Sequence, residues 1–129
     1  ALPIYSSIAL SPDGGGSWNL SIALPRQLAA ELMLLGERIS AERLYELGSV
    51  NRLVESGTAL TQALDLAERI NARAPNAMQS IKELINDAAN QSLNVHLAQE
   101  RDNFVNNLHH ANSGIGISAF LNKEKPVYK

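Results

Sequence analysis

The stretch Leu10-Ser-Pro-Asp-Gly-Gly-Gly-Ser-Trp18 carries the densest chemical signal in the sequence. Proline fixes φ and glycine permits positive φ, so Pro12 and Asp13 followed by three glycines predict a tight turn. A helix is then predicted to begin with Ser17 as its cap. Two interpretations of Asp13 are open at this point. Its carboxylate either exchanges protons with a ligand, or bonds a backbone amide two residues on and only organises its own turn.

Outward from this turn, most of the chain is predicted to be helical. Apolar residues recur at helical spacing, and residues typical of helix starts and ends flank them. Helices are predicted to begin near Pro25, Ser40, Thr58, Pro75 and Ser92, with ends at Gly36 and Gly48. A last short helix holds Ala119 and Phe120, after an interruption at residues 113–116. Only residues 5–10 and 50–54 read as extended, so the predicted fold class is mainly α with at most a short strand or two.

Composition limits the classes of function. The chain has 129 residues, of which 45% are hydrophobic and 19% charged, as expected of one globular domain. A net charge of -2 with eleven scattered Lys and Arg argues against a nucleic-acid partner. The sequence has no cysteine, which excludes disulfides, Cys-zinc sites and thiol nucleophiles. No apolar run approaches membrane-spanning length and no signal peptide is visible, so we expect a cytoplasmic protein without a membrane partner.

The three histidines do not form a recognisable metal site. His109 and His110 are adjacent, so on a helix they point about a third of a turn apart and do not converge on one ion. His96 has no histidine partner four residues away. We therefore expect surface or interface histidines and no bound metal.

Several stretches, in the right order, resemble the enoyl-CoA hydratase/isomerase (crotonase) family. They are PDGGGSW at 12–18, AELMLLGERISA at 30–41, LGSVNRLV at 47–54 and GISAFLNK at 116–123. The resemblance implies the C-terminal half of such a protein. Residues 1–24 would then be the end of its spiral core with the PDGGGSW loop. Residues 25–129 would be the helical C-terminal region through which these enzymes form trimers, often paired into hexamers.

In this family, the first half supplies the β-spiral, most of the acyl-CoA cleft and the oxyanion hole. Because the chain opens with Ala1 rather than Met, we expect it to begin inside a longer protein and to be inactive alone. The resemblance implies acyl-CoA as the substrate and no separate cofactor.

The resemblance also assigns roles to individual residues. Asp13 falls where the isomerase branch places an acidic proton shuttle. Hydratases generally have glycine there and a glutamate eight residues earlier, where this sequence has Tyr5, and a phenol is protonated at neutral pH. The pattern favours double-bond isomerisation through a thioester enolate. The turn residues Gly14, Gly15, Gly16 and Trp18 would line the loop or acyl pocket.

At the other end of the chain, Phe120 and Lys123 resemble family positions near the CoA nucleotide. The ordinary alternative for Phe120, as for Leu60, is a core position. Two other functions stay open. The chain is part of an enoyl-CoA hydratase, or it is a non-catalytic oligomerisation module.

Overall fold

The computed structural model describes residues 5–128, in two compact units divided between Ser56 and Gly57. Within that range every regular element is a helix, which confirms the mainly α fold class. The predicted boundary between residues 24 and 25 refers to a spiral core, and it stays a prediction. Among these same residues, no helix has the length and apolarity needed to cross a membrane.

The described part of the first unit, residues 5–56, holds three α-helices: α1 (Gly16–Ala23), α2 (Arg26–Leu35) and α3 (Ala41–Glu46). The extended segment predicted at residues 5–10 is wrong, because a 3-10 helix spans Tyr5–Ile8. Ala9 follows with a φ of 58°, and the Leu10 N–H donates to the Tyr5 carbonyl at 2.9 Å. No strand lies beside this segment in the described residues, so its backbone groups bond locally instead.

Buried Leu24, Ala29, Leu32 and Ile39 form the core of the first unit. The predicted helix ends around it are confirmed. The α2 helix ends at Gly36, whose φ of 66° lies in the left-handed region, and the Ser40 hydroxyl caps α3 by accepting from the Arg43 N–H at 3.1 Å.

Residues 50–54, predicted as a brief strand or an extended link, form no strand in the part of the chain that the structure describes. Gly48 ends α3 with a φ of 75°, and the Ser49 N–H donates back to the Leu44 carbonyl at 2.9 Å. This pattern is a Schellman motif, which turns the chain sharply after a helix. The Ser49 hydroxyl then donates to the Ala23 carbonyl at 2.6 Å, which ties the segment to the end of α1.

In the second unit, the structure describes residues 57–128 and shows four α-helices there: α4 (Ala59–Asn71), α5 (Pro75–Asp87), α6 (Leu93–Leu108) and α7 (Ala111–Asn122). A 3-10 helix, Ala88–Asn90, follows α5. The predicted interruption at residues 113–116 is wrong, because these residues lie inside α7. Each interior glycine costs roughly 1 kcal/mol relative to alanine, and burial of Asn112 and Ala119 offsets that cost.

Amide side chains join three helices of this unit. The Asn112 amide on α7 donates to the Asn76 oxygen on α5 at 3.0 Å, and the Asn76 amide donates to the Asn107 oxygen on α6 at 2.7 Å. The Asn107 amide in turn donates to the Ser80 hydroxyl on α5 at 2.9 Å. Asn112 is only 2% exposed, so these bonds satisfy polar groups that water does not reach.

Large apolar side chains remain on the surface of the second unit. The core positions considered for Leu60 and Phe120 are wrong for this chain, because these side chains are 72% and 82% exposed. Exposure on this scale is typical of surfaces that another polypeptide covers.

Candidate functional site

Asp13 begins a tight turn that closes at Gly16. The Gly16 N–H donates to the Asp13 carbonyl at 2.9 Å, while Gly14 and Gly15 have φ values of 56° and 83°. Positive φ at both central positions is the geometry of a type I′ turn, which glycine adopts without strain. Gly15 also serves as the N-cap of α1, and its carbonyl accepts from the Asn19 N–H at 2.9 Å. The helix therefore begins one residue before the predicted cap, Ser17.

The carboxylate of Asp13 takes no part in holding this turn. Its side chain is exposed, and within residues 5–128 the structure shows neither a hydrogen bond nor an ion pair to it. The bond that would make Asp13 an organiser of its own turn is therefore not formed, because the backbone carbonyl closes the turn instead. The carboxylate is free to accept or donate a proton at a ligand.

Tyr5 lies beside the same turn. Its hydroxyl oxygen is 3.6 Å from the position that a Cβ atom on Gly16 would occupy, with the Pro12 ring nearby. The structure thus brings Tyr5 close to the turn formed by Asp13 and the three glycines at 14–16. Tyr5 is the residue at the position where the family resemblance implies a glutamate in hydratases. Trp18, in the first turn of α1, is 63% exposed. A side chain at Gly16 would fill the space beside the Tyr5 ring.

Phe120 and Lys123 lie together at the C-terminal end of α7 in the second unit. Lys123 adopts a left-handed conformation with a φ of 58°. Its N–H donates to the Phe120 carbonyl at 3.3 Å, and the Glu124 N–H donates to the Ala119 carbonyl at 2.8 Å. This is a Schellman motif with lysine where glycine is usual. Phe120 presents its ring to the surface near this end.

Sequence reasoning missed a groove between α5 and α6. It has a volume of about 590 Å³, and its apolar lining includes Ile81, Leu97 and Phe104. The amide nitrogen of Asn103, which also lines the groove, is buried and has no hydrogen-bond partner within residues 5–128. The apolar spacing along each helix was a signal for these faces, but the groove depends on how the two helices pack.

Glu42, in the first turn of α3, has a lowered pKa. Hydrogen bonds from the Glu42 backbone N–H and the Ser40 hydroxyl hold the pKa of Glu42 below its ordinary value. Among the residues that the structure describes, no group of three or more His, Asp or Glu side chains is arranged to hold a metal ion.

The helical fold and the turn at Asp13 agree with the crotonase class of protein that the sequence resembles. Residues 5–129 match the family described as enoyl-CoA hydratase/isomerase, and the chain therefore belongs to that family. The resemblance noted from the sequence is confirmed.

Some similar proteins are named hydratases and others isomerases. The chain is 32% identical to 2,3-dehydroadipyl-CoA hydratase of Escherichia coli K12, covering 95% of this chain and 48% of that protein. It is 34% identical to 1,2-epoxyphenylacetyl-CoA isomerase of the same organism, covering 96% and 47%. A crystal structure of an enoyl-CoA hydratase from Polaromonas sp. JS666 matches with a TM-score of 0.95 and 58% identity, covering 99% of this chain and 50% of that one. The chain thus spans about half the length of these relatives.

Proposed function

We propose that this chain forms the proton-transferring part of an acyl-CoA isomerase. The observation that carries the proposal is the free, exposed carboxylate of Asp13, held at the first position of a turn that its backbone closes. Asp13 would remove a proton from one carbon of an unsaturated acyl-CoA and return it to another. The intervening enolate needs preorganised hydrogen-bond donors, which we assign to polypeptide outside this chain.

Gly14 and Gly15 support this role because both φ angles are positive and neither residue has a side chain to block a ligand. We further propose that Gly16 and Trp18 line the acyl pocket and that Phe120 and Lys123 contact the CoA moiety. An exposed ring can stack on a nucleotide base and an ammonium can pair with a phosphate. In this proposal acyl-CoA is a substrate, no separate cofactor or metal is required, and the protein acts in the cytoplasm.

The test is Asp13→Asn in an active enzyme that contains this chain. The change keeps the shape of the side chain but removes the base, so isomerisation of a 3-enoyl-CoA should fall by roughly 10²- to 10⁴-fold. The matched control is Asp102→Asn, an exposed carboxylate on α6, which should leave the rate unchanged. Near-normal isomerisation by the Asp13 variant would show that another group moves the proton.

Hydration is the second candidate, favoured by the similarity to named hydratases. An assay of the unmodified enzyme with a 2-enoyl-CoA, following the formation of the 3-hydroxyacyl-CoA, distinguishes hydration from isomerisation. Rapid hydration without isomerisation of the 3-enoyl-CoA would replace the isomerase proposal. Because a phenol is a poorer base than a carboxylate for activating water, and Tyr5 stands where a hydratase would carry glutamate, we expect the opposite result.

For the chain alone we propose no turnover and little affinity for acyl-CoA, since it spans about half the length of its relatives. Calorimetric titration with a medium-chain enoyl-CoA should give no heat of binding. A micromolar dissociation constant, about 8 kcal/mol of binding free energy, would show that this half holds most of the ligand site.

We also propose that the second unit mediates assembly into trimers or hexamers. Phe104, 68% exposed, lies in the groove between α5 and α6 and would be covered by a neighbouring subunit. Phe104→Asp should lower the mass measured by sedimentation, whereas Asn106→Asp, an exposed polar position on the same helix, should not. A folded wild-type monomer at high micromolar concentration would contradict this proposal and remove the oligomerisation-module alternative.

A further inference from the structure

The helix α7 is capped by a histidine. His110 precedes the helix with extended backbone, and its ring nitrogen Nδ1 accepts the N–H of Asn112 at 3.1 Å. A ring nitrogen accepts a hydrogen bond only when it carries no proton, so this contact requires neutral His110 with its proton on Nε2. The usual capping residues, serine, threonine, asparagine and aspartate, accept through oxygen and hold their bond without this requirement at neutral pH.

The capped residue is also the anchor of α7. Asn112 is buried, and its side chain donates to Asn76 on α5, which in turn donates to Asn107 on α6. The backbone and the side chain of Asn112 are thus held from two sides, one by the His110 ring and the other by the amide bonds between helices.

We infer that His110 is a pH-sensitive cap, whose protonation releases the first turn of α7 and loosens the connection of Asn112 to α5 and α6. Two effects act in the same direction. A proton on Nδ1 removes the acceptor, and the new positive charge lies at the positive end of the helix dipole. The folded state therefore loses stability as the pH falls from 8 to 5, the range in which histidines ordinarily change charge.

The charged groups around the start of α7 form no ion pair with His110 in the described residues. The α7 helix has no ionisable side chain between Ala111 and Asn122. The titratable and charged groups nearest along the chain on the elements around it are Asp102 on α6, His109 directly after α6, Arg73 before α5, and Tyr128 beside the cavity at Asn112. The neighbouring amides of Asn76 and Asn107 are neutral.

Urea unfolding of the chain between pH 8 and pH 5 tests the inference. As the pH falls from 8 to 5, the unfolding equilibrium constant of the wild type should rise about fivefold more than that of His110→Asn. The loss of a cap typically changes this constant by that factor, and asparagine keeps its acceptor at every pH in the range. His109→Asn, the matched control, should keep the wild-type dependence, since the His109 side chain forms no hydrogen bond with any of the residues 5–128. An equal rise in the wild type and His110→Asn overturns the inference, and so does loss of the dependence in His109→Asn.

A second measurement needs no variant. In nuclear magnetic resonance spectra of the wild type, the backbone amide of Asn112 should shift with the same midpoint as the His110 ring. Its hydrogen exchange, relative to that of an unprotected amide at the same pH, should become faster as the ring is protonated. An Asn112 amide that ignores the protonation of His110 contradicts the inference even if the variants fail to fold.

Discussion

The hydroxyl oxygen of Tyr128 lies 3.0 Å from the position that a Cβ atom on Gly116 would occupy. The segment after α7 therefore folds back onto this helix at a residue without a side chain. Gly114, two positions earlier and on the other side of the helix, has no atom within 4 Å of the equivalent point. Two glycines in one helix thus differ in whether a methyl group fits.

Gly114→Ala should raise the free energy of unfolding by about 1 kcal/mol, because alanine restricts the unfolded chain and exposes less helix backbone. Gly116→Ala should gain less or lose stability, since the new methyl group presses on the Tyr128 hydroxyl. Urea unfolding compares the two variants. Tyr128→Phe, added to Gly116→Ala, removes the hydroxyl and should restore much of the difference. Equal stabilisation by both alanines would show that Tyr128 moves aside freely.

Removal of the Asn112 side chain should be costly. Asn112→Ala leaves the Asn76 oxygen without its donor in a partly buried place, and it also opens space beside α5. We expect a loss of about 2 kcal/mol in the free energy of unfolding. Asn106→Ala, an exposed amide on α6, should change stability by less than about 0.5 kcal/mol. If both variants unfold at the same urea concentration, the amide bonds between helices contribute little.

Helix ends could be predicted where the signal is local. Gly36, Ser40 and Gly48 lie where the sequence placed them because a cap or a left-handed residue acts within one turn. Residues 113–116 were predicted wrongly because two glycines in four residues are usually a break. Here the His110 cap and the bond from Asn112 to Asn76, 36 residues away, keep the helix intact.

In the candidate site, too, the features set by neighbouring residues could be predicted and the others could not. The turn after Asp13 could be predicted, since consecutive glycines allow positive φ at both central positions. That the Asp13 carboxylate forms no hydrogen bond in the described residues could not be predicted. The sequence is equally compatible with a turn closed by the side chain of Asp13 and one closed by its backbone carbonyl. The place of Tyr5 beside Gly16 depends on the 3-10 helix at Tyr5–Ile8, which the sequence pattern did not indicate.

The lowered pKa of Glu42 predicts a pH dependence at the start of α3. A carboxyl whose pKa is lower in the folded state stabilises the fold above its unfolded pKa, and this contribution is lost as the pH falls through the folded pKa. Ser40→Ala removes both the cap on Arg43 and the bond to Glu42. The Glu42 pKa, followed by the carboxyl carbon resonance, should therefore rise toward its ordinary value. Ser17→Ala is the control, since Ser17 is not bonded to this carboxyl, and the same rise in that variant would contradict the assigned cause.

Lys123 combines a strained backbone with a proposed contact to CoA. Its φ of 58° is one that side chains with a Cβ adopt at a cost of roughly 1 kcal/mol, whereas glycine adopts it freely. Lys123→Gly should therefore raise the free energy of unfolding by about 1 kcal/mol, and Lys125→Gly, outside the Schellman motif, should not.

In an active enzyme containing this chain, the same Lys123→Gly change should weaken acyl-CoA binding, because the ammonium group is lost. Lys123→Arg separates the two effects, since it keeps the charge and the strain, and should bind acyl-CoA with near wild-type affinity. A Lys123→Gly enzyme that is more stable and binds acyl-CoA normally would show that the left-handed lysine serves no ligand.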